Sequence, residues 1–304
     1  MSVHVHLPDV RDRARAAFLG LAIGDALGAT VEFETRSEIA ASRGVHRELV
    51  GGGWLRLAPG AVTDDTQMSV CIGHAVDAAG GWSLPAVADA FATWLRSGPA
   101  DVGNTCRRGI RRYILEGTLE GPPCDGDAGN GAAMRMLPVA LLSLANGELL
   151  DRLAREQAHL THHHPLSDSA CRTVGRLVQL ACLGHSPPRL RAEADALVEA
   201  DRRFRFEPYP GLAGGYVVET MQTVLHHLFA ARSFEECLVG VVNEGGDADT
   251  NGAIAGAIAG ALHGTEAIPR RWLARLDRPV AAEVRRLADR LVDLSPLARG
   301  EPPS

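Results

Sequence analysis

Aromatic side chains are scarce in this 304-residue chain, at 5%, and stretches that alternate apolar and polar residues with a period of two are scarce as well. Half-buried strands draw on both, so their shortage argues against a sandwich or a barrel. Positive charge is not in surplus either. The formal net charge is −6 with a pI near 6.1, and no basic run offers a field that would hold a nucleic-acid backbone. The first ten residues carry His and Pro where a secretory signal has a charged region followed by an apolar stretch, so the expected location is the cytoplasm. Six cysteines, Cys71, Cys106, Cys124, Cys171, Cys182 and Cys237, lack C-x-x-C spacing and mostly lie among Ala, Leu and Val. They read as reduced core thiols and not as zinc ligands or a disulfide framework.

With 46% apolar and 22% charged residues, the chain can bury a large core. No long linker interrupts it, and residues 11–294 are expected to form one domain between short tails, 1–10 and 295–304. Apolar residues recur every three or four positions over Arg11–Ala29, Thr66–Ala79, Leu84–Leu95, Ala132–Ala145, Asp168–Leu183, Tyr216–Ala230, Phe234–Val242 and Trp272–Leu294, which predicts helices. The segments Gly51-Gly52-Gly53, Gly121-Pro122-Pro123 and Ser186-Pro187-Pro188 read as breaks between them. An all-α fold follows.

Two of these helices carry glycine at every fourth position: Gly20, Gly24 and Gly28 in one, Gly252, Gly256, Gly260 and Gly264 in the other. Each interior glycine costs about 0.5–1 kcal/mol relative to alanine. Close approach of another helix is the natural compensation, which places both at the centre. Neither suits a membrane, since Asp25 and His263 interrupt them short of about 20 apolar residues.

Acidic clusters mark two helix beginnings, Thr63-Asp64-Asp65 before one and Asp247-Ala248-Asp249-Thr250 before the second glycine-striped helix. N-capping accounts for one aspartate at a helix start, because its carboxylate accepts bonds from free N–H groups. Two carboxylates and a hydroxyl at each of two starts ask for more. If the clusters converge, each close carboxylate pair repels by roughly 4 kcal/mol at 4 Å and an effective dielectric of 20. No Lys or Arg lies in either cluster, and an all-oxygen donor set suits Mg²⁺ or Mn²⁺. Composition and spacing leave both capping and metal binding open.

The stretches Gly20-Leu21-Ala22-Ile23-Gly24-Asp25-Ala26-Leu27-Gly28, Thr63-Asp64-Asp65-Thr66 and Gly245-Gly246-Asp247-Ala248-Asp249-Thr250 resemble the ADP-ribosylglycohydrolase family. The likeness runs from about Arg11 to Leu294 in matching order. It implies an all-α, single-domain orthogonal helical bundle with a binuclear centre of Mn²⁺, or else Mg²⁺, at the bottom of a cleft. Thr63, Asp64, Asp65, Asp247, Asp249 and Thr250 are the metal ligands it implies. The reaction it implies is hydrolysis of the N-glycosidic bond between ADP-ribose and an arginine of a modified protein. Further matches at Gly51-Gly52-Gly53-Trp54-Leu55 and Asp101-Val102-Gly103-Asn104 narrow that protein to dinitrogenase reductase, the iron protein of nitrogenase. The resemblance also implies a nitrogen-status signalling protein and the membrane ammonium channel as partners, with any membrane association peripheral. The same chemistry on another ADP-ribosylated protein or small conjugate, and a non-catalytic ADP-ribose-binding protein, are the alternatives.

Among the remaining residues, Asp101 is expected to act as acid or base at the scissile bond, because an arginine departs poorly unless protonated. Glu32, just after the first glycine-striped helix, is a candidate lid or water-orienting carboxylate. Asp25, inside that helix among apolar neighbours, must find partners and is expected to support the site from behind. Asn104 is placed at the ribose or diphosphate. The segment Gly126-Asp127-Ala128-Gly129-Asn130-Gly131 precedes a predicted helix and has the backbone freedom to hold a diphosphate, which makes Asp127, Gly129 and Asn130 substrate candidates. His162 and Tyr216 complete the set, the latter as a flat surface for adenine. His164 is expected to be structural, and His162-His163-His164 is not expected to bind a metal.

Overall fold

The computed structural model describes residues 6–300. In chain order the helices are α1 (Leu7–Gly28), α2 (Arg36–Arg43), α3 (Asp64–Ala79), α4 (Leu84–Arg96), α5 (Asn104–Glu116), α6 (Leu137–Leu142), α7 (Gly147–His159), α8 (Pro165–Cys182), α9 (Pro187–Ala200), α10 (Val217–Ala230), α11 (Phe234–Val242), α12 (Ala248–His263), α13 (Arg270–Arg275), α14 (Arg278–Leu294) and α15 (Pro296–Arg299). No strand occurs among the described residues, and isolated bridges such as Gly129 to Tyr216 join loop segments. The all-α expectation holds.

At the centre α1 packs along α12, and α14, α8, α11 and α10 surround the pair. The glycines meet in antiparallel register: Gly20 opposite Gly256, Gly24 opposite Gly252, and Gly28 opposite Ala248. A Cβ on Gly24 would fall 1.9 Å from the Gly252 carbonyl oxygen, so backbone lies directly on backbone. Both helices are buried over most of their length. The antiparallel register has one consequence for function: the C-terminal end of α1 and the loop after it lie beside the N-terminus of α12, where Asp247, Asp249 and Thr250 stand.

Several helix boundaries depart from the apolar periodicity. Ala132–Ala145 is helical only over Leu137–Leu142, because Pro138 fits the first turn, where a missing N–H costs nothing, and residues before it form turns. Trp272–Leu294 divides into α13 and α14 around Leu276 and Asp277, with Asp277 capping α14 through Val280 N and Pro279 in the first turn. Ser186-Pro187-Pro188 does not simply break the chain, for the two prolines open α9. The periodic reading also passed over α2, which is set by a capping box between Thr35 and Glu38, and over α5 and α7, whose apolar stripes are narrow. The helices start earlier than expected at Leu7 and Pro165. All six cysteines are free: four are buried, Cys71 is partly buried and Cys124 is exposed.

Candidate metal centre and substrate cleft

Asp25, wholly buried near the end of α1, fixes the start of α3. Its carboxylate accepts bonds from Thr63 N at 2.9 Å, Thr63 Oγ1 at 2.9 Å, Thr66 N at 3.1 Å and the Thr66 hydroxyl. These bonds draw the first turn of α3 against α1 and aim Asp64 and Asp65 toward the end of the central pair. On the other side, the chain reverses at Gly245 and Gly246, with φ of 74° and 64°, a region that favours glycine. A Cβ at Gly245 would meet the Glu34 carbonyl oxygen at 2.1 Å, so this turn is packed tightly on the loop that carries Glu32. Phe33 N donates to Gly246 O at 2.7 Å, and Gly246 N to Glu34 O at 2.9 Å, locking that loop to the start of α12.

Neither acidic cluster caps its helix. The Thr63 and Asp247 side chains make no capping hydrogen bond. Instead, Asp64, Asp247, Asp249 and Thr250 line one cleft of about 780 Å³ together with Glu32 and Asp101. Carboxylate oxygens of Glu32, Asp101 and Asp249 lie within 4.8 Å of one another. Asp65 accepts from Thr63 Oγ1 through Oδ2 at 3.1 Å, while its Oδ1 is buried without a partner.

Burial and mutual repulsion push these groups toward the protonated form. Desolvation raises Asp64 to about 7, with Asp101 adding to it, and raises Glu32 to about 8 against the opposing bond from Trp54. Asp65 and Asp249 are driven well above the carboxylate range by burial first and then by neighbouring aspartates. An orphaned buried oxygen and a set of mutually repelling hard donors fit a divalent cation, which replaces the missing countercharge. Of the six expected ligands, Asp64, Asp247, Asp249 and Thr250 line the cleft with Glu32 and Asp101, whereas Thr63 and Asp65 are buried outside its lining, the Thr63 hydroxyl bonded to Asp25 and Asp65.

A family model described as ADP-ribosylglycohydrolase matches residues 6–301. The chain belongs to the ADP-ribosylglycohydrolase family. It is 54% identical over 290 residues to the ADP-ribosyl-[dinitrogen reductase] glycohydrolase of Rhodospirillum rubrum, covering 95% of this chain and 99% of that one. An ADP-ribosylarginine hydrolase, Tri1, of Pseudomonas putida (strain GB-1) is 30% identical over 94% of this chain and 79% of its own length. Among solved structures, an ADP-ribosylglycohydrolase-related protein complex superposes with a TM-score of 0.83 at 34% identity, over 94% of this chain and 99% of that one. The chain is thus a hydrolase of this family, and the all-α bundle is the family fold.

Within the family cleft, the other candidates fall into different places. Asp101 is half-buried, its carboxyl raised by desolvation, and the loop it stands on is tied down by Gly103 N donating to Asp64 Oδ2 at 3.2 Å. Asn104 lies exposed on the cleft wall at the first turn of α5. Gly129, Asn130 and His162 also line the cleft. Asn130 is committed inside the protein, its Nδ2 donating to Asp247 Oδ2 at 2.7 Å and Thr220 Oγ1 at 3.0 Å. Asp127 is not brought into the cleft: it is buried, ion-paired with Arg108, and accepts from His163 N at 3.3 Å. Tyr216 is exposed and outside the lining, although Gly214 and Gly215 before it are part of it. His164 caps α8 through Leu166 N at 3.1 Å, a structural role.

The individual residue reading missed Trp54, Phe33 and Arg107, all on the cleft wall. Trp54 Nε1 donates to Glu32 Oε2 at 2.6 Å, and its ring packs on Phe33 with centroids 5.5 Å apart. A tryptophan directly after three glycines was the available signal.

Proposed function

We propose that this chain removes ADP-ribose from a modified arginine of dinitrogenase reductase by hydrolysing the N-glycosidic bond at a centre of two divalent cations, Mn²⁺ in preference to Mg²⁺. The observation that carries the chemistry is the gathering of the acidic side chains in one cleft beside the unpartnered Asp65 Oδ1. The target rests on the near full-length likeness to the Rhodospirillum rubrum relative. When bound, the cations supply Lewis acidity toward the ribose oxygens and the hydrolytic water and neutralise the carboxylate field.

The chain's own residues supply positioning and protons. Asp101 stands at the edge of the acidic set with a carboxyl raised by desolvation, so it keeps a proton at milder pH than an exposed aspartate. That suits it to deliver the proton without which the guanidine departs poorly. Glu32, held by the Trp54 indole, stands close beside Asp101 and orients water. Asn130 fixes Asp247, and Asn104 offers an amide to the sugar or diphosphate.

The test is release of free ADP-ribose from modified iron protein with Mn²⁺, with Mg²⁺ and with chelator. Release that needs either metal is expected; none with either metal from folded protein overturns the reading. Asp101→Ala should keep ADP-ribose binding while hydrolysis falls at least 100-fold, within the usual range for losing a general acid. A second reading, the same chemistry on another ADP-ribosylated protein or a small conjugate, is favoured by the likeness to Tri1. Turnover of ADP-ribosyl-arginine matching that of the iron protein would support it. The signalling protein and the ammonium channel rest on the sequence resemblance. Among the described residues no helix is long and apolar enough to cross a membrane, so contact with the channel would be peripheral.

A further inference from the structure

Arg135 is entirely buried, and none of its hydrogen bonds goes to a carboxylate. Its Nε donates to Gln157 Oε1 at 2.8 Å, and Nη2 to Gln157 O at 3.0 Å and Thr161 Oγ1 at 2.7 Å. Nη1 faces the sulfurs of Cys106 and Met68, and the guanidinium lies 4.7 Å from the centre of the Phe91 ring. Burying a full positive charge among neutral groups is expensive, and the bonds of this one end one step from the cleft.

The direction of those bonds follows from the donor inventory. Arginine has donors only, so Thr161 Oγ1 accepts from it. The Thr161 hydroxyl proton then needs an acceptor, and in this buried position the atom within reach is His162 Nδ1 at 2.8 Å. Nδ1 therefore carries no proton, and a neutral imidazole must hold its proton on Nε2. Burial, followed by the Arg135 and Arg108 charges, also disfavours the doubly protonated ring.

With the residue as a whole only 2% exposed, the opposite edge of the ring borders the cleft. His162 lines it, Nε2 makes no hydrogen bond to the protein, and the nearest loop presents glycines there. A Cβ on Gly131 would fall 2.8 Å from His162 Cε1 and 3.1 Å from Nε2, and one on Gly129 would fall 3.2 Å from Nε2. Side chains at either position would crowd or cover that edge.

We infer that Arg135 and Thr161 are positioning residues that hold His162 as the Nε2–H tautomer, so that it donates a hydrogen bond to an acceptor oxygen of the ADP-ribosyl group. The inference rests on the reading of this cleft as the ADP-ribose site. It also removes His162 from the general bases, since Nε2 has no lone pair with which to take a proton from water.

The decisive measurement is a long-range ¹H–¹⁵N correlation on the full chain labelled with ¹⁵N-histidine, with His162 assigned through His162→Gln. The free wild-type protein should show His162 as the Nε2–H tautomer at neutral pH. An Nδ1–H or doubly protonated ring overturns the proposal, and this reading needs no variant to fold beyond the assignment. Adding ADP-ribose with Mn²⁺ should shift the His162 Nε2 signal; binding that leaves it unmoved overturns the donated bond. Complete failure of ADP-ribose to bind overturns the functional reading and the acceptor named here, whereas the tautomer stands or falls on the free protein. Thr161→Val should lose the single tautomer and raise KM about three- to tenfold with a smaller change in kcat, the size of one lost hydrogen bond. Thr161→Ser should restore both. A folded Thr161→Val protein with wild-type tautomer and KM would refute the relay.

Discussion

Replacing Gly24 with alanine adds one methyl group to the last turns of α1, where two effects of opposite sign can be weighed. Helix propensity favours the substitution by about 0.5–1 kcal/mol. Packing opposes it, because the new Cβ would lie 1.9 Å from Gly252 O, 2.3 Å from Gly252 C and 2.9 Å from Ala253 N. These atoms belong to the backbone of α12 and cannot swing aside as a side-chain end would. Relieving the closest contact to an ordinary 3.4 Å means opening the seam by about 1.5 Å at that point. Overpacking a core site costs about 1–3 kcal/mol, and backbone against backbone belongs at the upper end, leaving a net loss of about 2 kcal/mol. At about 2–4 °C per kcal/mol for a chain somewhat smaller than this one, Tm should fall by roughly 4–8 °C in scanning calorimetry. The stabilisation gained from Mn²⁺ should shrink as well, since Asp25 and Asp249 sit on the two sides of that seam. Gly73→Ala is the control: its Cβ meets only the branched end of Leu287, at 2.9 Å and beyond, which can shift. A Gly24→Ala protein with Tm at or above wild type would refute the close-approach account of the glycine stripes.

Three further outcomes follow from the charges. Asp65→Asn removes a buried carboxyl that repels Asp64 and Asp25, so the metal-free protein should gain Tm while its response to Mn²⁺ disappears; an intact response would strike Asp65 from the ligands. Asp64 is raised to about 7 and Glu32 to about 8, burial being the main cause. Both must be deprotonated to face a cation, so Mn²⁺ affinity measured by calorimetry should fall as pH drops from about 8 to about 6, and a flat profile would contradict this. His159 lies 3.0 Å from Asp168 and 3.1 Å from Glu120; burial opposes its charge, but these two carboxylates prevail and raise its pKa above 6.5. Its contribution is therefore complete below about pH 6.5 and lost as pH rises through the folded-state value. His159→Gln should lower Tm more at pH 6 than at pH 9, and an equal loss at both would show that packing, not charge, is what the ring supplies.

How much of this was legible in the sequence depended on whether a signal was local. Glycine at every fourth position announces that a helix face is approached closely, and both central helices were readable from it. The partner, the antiparallel direction and the pairing of Gly24 with Gly252 were not, because spacing describes one face and says nothing of what lies on it. The acidic pairs were equally visible, yet capping and metal binding remained balanced on residues alone. The Thr63 and Asp247 side chains make no capping bond, and at α3 the carboxylate of Asp25 takes Thr66 N instead, a fact only three-dimensional placement supplies. Asp127 looked like part of a substrate loop and proves committed to Arg108, since a partner nineteen residues away leaves no local trace. Arg135 left no signal either: nothing in Met134-Arg135-Met136 announces that this guanidinium is entirely buried.

What separates supporting carboxylates from candidate ligands is how many of their oxygens are already satisfied. Asp25 is the most deeply placed aspartate near the site, and burial raises it to about 6 in spite of its bonds to Thr63 and Thr66. Both its oxygens accept hydrogen bonds, Oδ1 from Thr63 and Oδ2 from Thr63 and Thr66, so little lone-pair capacity remains for a cation. Asp127 is likewise occupied on both oxygens. Asp65 spends one oxygen on Thr63 and leaves the other buried and open, and Asp249 accepts its neighbour's N–H at Oδ1 and is hydrogen-bonded to Glu32. Hydrogen bonds offset part of the burial cost of a saturated carboxylate and hold the helices in register, whereas a buried open oxygen has nothing to offset it until a cation or donor arrives. By that criterion Asp25 belongs to the frame, while Asp65 is the buried aspartate left open to a cation.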